Sequence, residues 1–326
     1  MRGAGGARGS RARHRALEGG ARVILLVALV LDLAVGDPPN RWHPVRWVGR
    51  GLDLAFRATP RRGRLAPLLY GMLVVLAGAG AVAALIARLS MVLSGAGWLG
   101  VLIEAWLLKC SFSLRGLMSR ARRVERALAC ADLARARAEV GYHLVSRPTG
   151  GLRAEGVASA AVESVAENLT DSFVAPIAFY LAFGLPGAWA YRVVNTADAM
   201  VGYRGGLLEY LGKAAARLDD LLNLVPARVA ALALVAGAGL VGADARGAAR
   251  ILRRDRGRTA SPNAGWPMAA MAGALGLVLE KAGIYRLGEG RPPDGGDIGR
   301  SLRVLAAAAA LVGALGVVAD LVASRQ

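Results

Sequence analysis

The chain has 326 residues, 55% of them hydrophobic and 20% charged, with a mean hydropathy of +0.42. That much apolar side chain excludes a disordered polypeptide, and two lone cysteines with three dispersed histidines exclude a disulfide scaffold or a structural zinc site. A net charge of +18, from 41 basic residues against 23 acidic, would suggest nucleic acid in a soluble protein, but here the arginines lie between long apolar runs. This is the pattern of a polytopic membrane protein with basic loops in the cytoplasm and no nucleic-acid partner.

In chain order, residues 1–20 read as a disordered basic extension, and residues 21–326 as a single membrane-embedded catalytic domain. Ala21–Val35 is apolar but short, interrupted by Asp32, and either spans with a tilt or only dips into the bilayer. Leu65–Leu89 and Met91–Leu108 read as a helical hairpin, with Ser90 and the Ser94–Gly97 stretch as turn or kink candidates. Gly95, Gly97 and Gly100 spell GxGxxG, as do Gly237, Gly239 and Gly242. Neither follows a strand, so both read as small-residue helix packing.

Residues 110–170 are amphipathic and arginine-rich and read as the largest cytoplasmic helical segment. Phe173–Val194 carries Pro176 and the Gly184-Leu185-Pro186-Gly187 break, which fits a broken or re-entrant pair as well as a straight span. Leu221–Ala243 and Val304–Ala323 are further spans, and Ala264–Leu279 is apolar but short. No strand pattern with period two appears anywhere, the period-3.6 pattern dominates, and the fold class is all-α.

The polar residues cluster at the apolar boundaries. Glu163, Glu167 and Asp171 stand at i, i+4 and i+8 of a helix, with Asn168 beside them and no basic partner among them. A solvated helix face is one reading. The other is a Mg²⁺-phosphate site, because this hard ion takes oxygen ligands and uncompensated acids beside a membrane segment are costly. Asn195 and Asp198 form a second cluster, and Arg217, Asp219 and Asp220 a third. Three clusters within sixty residues favour one shared polar site. Two stiff loops, 36–46 and 261–267, add Asp37, His43, Arg46, Ser261, Asn263 and Trp266. The Walker A, GxSxG and HExxH motifs are absent, so any ATP is bound without a P-loop.

The ordered motifs GDPPxxxHPV (36–45), ESVAENxxD (163–171), NTxDxMVGY (195–203), ARLDDxxNxxPAR (216–228) and SPNxGWP (261–267) resemble the CobD/CbiB cobalamin biosynthesis family, the adenosylcobinamide-phosphate synthases. The resemblance runs from about Leu31 to the Asp294–Gly299 segment. It implies a multi-pass enzyme of the cell (inner) membrane with its active site on the cytoplasmic side. The implied reaction joins adenosylcobyric acid to (R)-1-aminopropan-2-ol phosphate, or free aminopropanol, with ATP and Mg²⁺ as co-substrate and activator. The corrinoid, the amine, the lipid bilayer and other membrane enzymes of the pathway are the implied partners. On this reading Glu163, Glu167, Asp171, Asp198, Asp219 and Asp220 face the metal. Arg46, Asn195, Tyr203, Arg204, Lys213, Arg217, Ser261, Asn263 and Trp266 bind substrate or phosphate. Asp37, His43, Glu167 and Asn168 are the catalytic candidates, His43 or Asp37 serving as base. The alternative activity is an intramembrane Mg²⁺-dependent prenyl- or phosphotransferase, although Asn195 and Asp198 supply only half of the paired DxxxD motif such enzymes use.

Overall fold

The computed structural model describes residues 23–61, 63–145, 148–203 and 205–323; the basic N-terminal segment and Arg204 lie outside the described residues. The helices are α1 (Ile24–Ala34), α2 (Pro44–Arg57), α3 (Leu65–Leu93), α4 (Gly97–Ser111), α5 (Leu114–Ala129), α6 (Leu133–His143) and α7 (Ala154–Leu169). A π-helical turn at Thr170–Val174 leads into α8 (Ala175–Val201). Then come a single turn α9 (Leu208–Leu211), α10 (Lys213–Leu222), α11 (Leu224–Leu240), α12 (Ala245–Asp255) and α13 (Gly265–Leu275). The hairpin β1 (Val278–Lys281) and β2 (Tyr285–Gly288) and the long α14 (Gly295–Ala323) complete the chain. Among the described residues, four helical stretches are long and apolar enough to cross a membrane: Leu65–Leu93, Gly97–Ala129, Ala154–Val201 and Gly295–Ala323. Leu208–Leu222 with Leu224–Leu240, bent by 50°, makes a fifth if counted as one span. This is an all-α polytopic membrane protein.

The chain forms two compact units. One contains the described residues of Met1–Phe112, Pro176–Leu218 and Gly313–Gln326; the other contains Ser113–Ala175 and Asp219–Val312.

In the first unit, α3 exposes Leu69, Leu73, Leu76 and Leu85 and buries few side chains, as a lipid-facing span should. At Gly71 it packs closely on the backbone: a Cβ there would sit 2.0 Å from the Leu211 carbonyl oxygen. The hairpin expected from the sequence forms, but α3 runs on through Ser90 to Leu93. The break falls at residues 94–96, where the Ser94 hydroxyl folds back onto the Met91 carbonyl. Gly100 packs against the Leu93 backbone, where a Cβ would approach the carbonyl oxygen to 2.2 Å. The break expected in 173–194 is also present. Gly184 adopts φ 67° and ψ −167°, open only to glycine, so α8 is two helices joined at a kink.

The second unit is built on α7, buried from Val157 to Ala166. In this last helix of the 110–170 segment the alanines and valines are packed into the unit interior together with Glu163, while Glu167 is only half-buried. Small residues also let α11 and α14 approach, since a Cβ on Gly237 would sit 2.8 Å from the Ala308 nitrogen. The α13 helix is buried along its whole length and ends at Gly276 in the left-handed region. A two-stranded antiparallel hairpin follows, pairing Val278 with Gly288 and Lys281 with Tyr285 around Gly283 at φ 71°. The sequence reading missed it. Four-residue strands turned by a single glycine carry too short an alternation to register.

Asp255 ties α12 to this hairpin. It is fully buried, takes two bonds from Arg254 and accepts the Gly288 amide at 2.8 Å. Burial alone would raise its pKa, but the Arg254 and Gly288 hydrogen bonds outweigh that and hold it below the ordinary 3.8. A carboxylate depressed on folding adds stability that is present above its unfolded pKa and lost as pH falls through the folded one. Thermal melts of the detergent-solubilised protein should therefore lose stability as the pH drops below about 4. Asp255→Asn should be less stable than wild type at neutral pH, and the difference should shrink in acid. A constant difference at all pH values would remove this role.

Candidate functional site

In the second unit the acidic stripe is not a solvated face. Glu163 is 4% exposed, and both its oxygens are engaged: Oε1 accepts from Ser159 and Oε2 from the Tyr285 hydroxyl, each at 2.7 Å. Ser159 Oγ in turn accepts the Glu280 amide at 3.1 Å, so α7 is fastened to the hairpin through Glu163. Glu167 lies one turn further on. It is half-buried and shares its electrostatic surroundings with Glu163, Lys281 and Asp219. Its carboxylate takes no hydrogen bond among the described residues. Asn168 donates to the Ser164 carbonyl and hydroxyl, both at 3.0 Å, and accepts from Ser172. Asp171 sits in the π-helical turn, a distortion that costs regular hydrogen bonding and recurs at functional sites.

The motifs around 216–228 and 261–267 meet in the same unit. Asp220 Oδ1 accepts from the Ser261 hydroxyl at 2.9 Å, and the Asp220 carbonyl accepts from the Asn263 amide at 2.6 Å. Asn263 is buried and its Oδ1 accepts from Arg228 Nη1 at 2.7 Å. Arg228 and Arg256 lie against the Trp266 ring, 4.5 and 4.9 Å from its centroid. Two guanidinium groups held against an indole repel one another, and an oxyanion between or beside them relieves that repulsion. Asp219 accepts from Asn223 at 2.9 Å.

In the first unit, Asp37 is held by Lys109, which is fully buried on α4 and also lies 3.5 Å from the buried Asp32. His43 is the N-cap of α2, its Nδ1 accepting the Val45 amide at 3.3 Å. The other nitrogen, Nε2, therefore carries the proton in the neutral ring and faces Asp37 at 3.9 Å. Both residues are thus committed to local structure, which argues against the free base expected of either. Asn195 accepts from Arg192 at 2.9 Å. Gly202 is required beside Asp198, because a Cβ there would fall 2.0 Å from Asp198 Oδ1. Arg46, Lys213 and Arg217 are exposed, and Tyr203 bonds back to the Ala199 carbonyl.

The sequence reading missed Lys109, Ser159, Arg228, Arg256, Lys281 and Tyr285. Among the described residues, no three His, Cys, Asp or Glu side chains are grouped so as to hold a metal ion. Of the acids assigned to Mg²⁺, Glu163 and Asp220 already have hydrogen-bond partners.

The profile of the CobD/Cbib protein family matches residues 25–312. The cobalamin biosynthesis protein CobD of Dehalococcoides mccartyi is 45% identical over 268 residues, covering 82% of this chain and 86% of that protein. The probable cobalamin biosynthesis protein CobD of Methanothermobacter thermautotrophicus is 42% identical over 274 residues, 84% and 88% of the two chains. That of Pyrococcus furiosus is 39% identical over 280 residues, 86% and 92%. No solved structure matches the chain. With a family profile spanning nearly all of it and relatives this similar over most of their length, the chain belongs to the CobD/Cbib family of cobalamin biosynthesis proteins.

Proposed function

We propose that this protein forms an amide between a carboxylate of adenosylcobyric acid and the amine of (R)-1-aminopropan-2-ol phosphate or aminopropanol, driven by ATP. The observation that carries the proposal is the junction in the second unit, where Asp220, Ser261, Asn263 and Arg228 are linked and Arg228 and Arg256 flank Trp266. Such an arrangement suits phosphate oxygens without a P-loop.

A carboxylate is a poor acyl donor. One of its oxygens attacks the γ-phosphorus of ATP, ADP leaves, and an acyl phosphate results. The amine nitrogen then attacks the acyl carbon, inorganic phosphate departs, and one proton leaves the nitrogen. Arg228 and Arg256 pair with the transferring phosphate, and Glu167, with its carboxylate unengaged, takes the proton. Mg²⁺ arrives with ATP as part of the substrate and screens its phosphates. A magnesium ion carried on phosphates asks the protein for only one or two carboxylates.

A strain lacking this gene should grow when given cobinamide but not when given cobyric acid, and the wild-type gene should restore growth on cobyric acid. Growth of the deletion strain on cobyric acid alone would place the block before this step and contradict the proposal.

A further inference from the structure

The α12 helix has two faces with different fates. Gly247, Ala248, Ile251 and Leu252 are buried, and the backbones of α12 and α13 touch. A Cβ on Gly273 would lie 2.3 Å from the Gly247 oxygen, and one on Gly247 2.8 Å from the Gly273 oxygen. The apolar face is therefore used within the unit and is not available to insert into a bilayer. On the other side, Arg246, Arg250, Arg253 and Arg254 stand at i, i+4, i+7 and i+8 and line an open cavity of about 570 Å³ with Ala249. Glu289 pairs with Arg250 and Arg254, and Asp255 pairs with Arg254 and Arg258. Arg246 and Arg253 have no carboxylate partner among the described residues. Like charges at this spacing repel, and a fixed helix cannot relax to separate them.

The position of this stripe identifies what covers it. The membrane-length path through α11 ends at Leu240, and α12 starts at Ala245. Leu232, Leu240 and Val241 are exposed, as a face against hydrocarbon would be. The arginines follow from Arg246, so a span that ends at Leu240 would bring them to the headgroups. We propose that this outer face of α12 is a binding site for the headgroup of an anionic phospholipid, its phosphate held by the guanidinium forks of Arg246 and Arg253. None of the arginines that line the cavity is assigned a part in the proposed ligase chemistry, and the site stands whether or not that chemistry is correct.

The test uses the full chain in a neutral detergent, titrated with fluorescent phosphatidylglycerol or with phosphatidylcholine of the same acyl length and read by anisotropy. Wild type should bind phosphatidylglycerol about tenfold more tightly. Arg246→Gln/Arg253→Gln should bring the preference to within about twofold at an unchanged melting temperature, since neither side chain is buried or paired. The control Arg122→Gln/Arg303→Gln, an equal charge change on exposed residues of the same unit, should keep the preference. Full preference in the first double variant, or equal loss in the control, would overturn the site. Displacement of the lipid by millimolar glycerol phosphate would also overturn it, in favour of a soluble phosphate.

Discussion

Replacing Lys109 with methionine is expected to destabilise the protein by about 3–5 kcal/mol, the usual effect of removing one partner of a buried ion pair. Lys109 pairs with both Asp32 and Asp37, and it and Asp32 are buried. Methionine fills much of the same volume but removes the buried cation with which both carboxylates pair. The Asp37–Pro38–Pro39 turn that delivers the chain to α2 would lose its anchor as well. The double variant Lys109→Met/Asp37→Asn should recover part of the loss, because it removes one of the two carboxylate charges that Lys109 offset. Melting curves of the detergent-solubilised protein decide this: an unchanged midpoint in the single variant would show that the pair does not hold the first unit together.

Glu167→Gln is expected to lower turnover by on the order of 10²–10³-fold, within the range of general-base contributions, with little change in melting temperature. The reasoning lies in the contrast with its neighbour. Glu163 is tied by Ser159 and Tyr285 and holds the hairpin to α7, so Glu163→Ala should mainly lower stability. Glu167 is one helical turn away, takes no hydrogen bond among the described residues, and gives up nothing structural when neutralised. Equal losses of stability in the two variants, or full turnover in Glu167→Gln, would remove the proposed role.

Much of the fold could be read from the sequence because lipid imposes long apolar runs that local composition reveals. The α3–α4 hairpin, the break at Gly184–Gly187 and the final span all follow from runs interrupted by glycine or proline. The glycine pairs were also readable, since neither GxGxxG followed a strand; Gly100 and Gly237 are close backbone contacts. Partnerships across the chain were not legible. Lys109 and Asp37 are 72 residues apart, and nothing near either residue announces the other. Arg228 entered the sequence reading only as the last residue of the 216–228 motif, and its bond to Asn263 closes a separation of 35 residues. The acidic stripe was legible as a pattern, but its burial depends on what packs against α7. The β1–β2 hairpin was lost because its strands are too short to alternate convincingly.

The most direct test of ATP-driven amide formation follows the carboxylate oxygen. Purified protein would be given ATP, the aminopropanol substrate and adenosylcobyric acid labelled with heavy oxygen in its free carboxylate. Passage through an acyl phosphate predicts one labelled oxygen in the released inorganic phosphate for each amide formed, with ADP produced in equal amount. Amide formed with unlabelled phosphate, or no ADP and no amide from folded protein with all three substrates present, would contradict it.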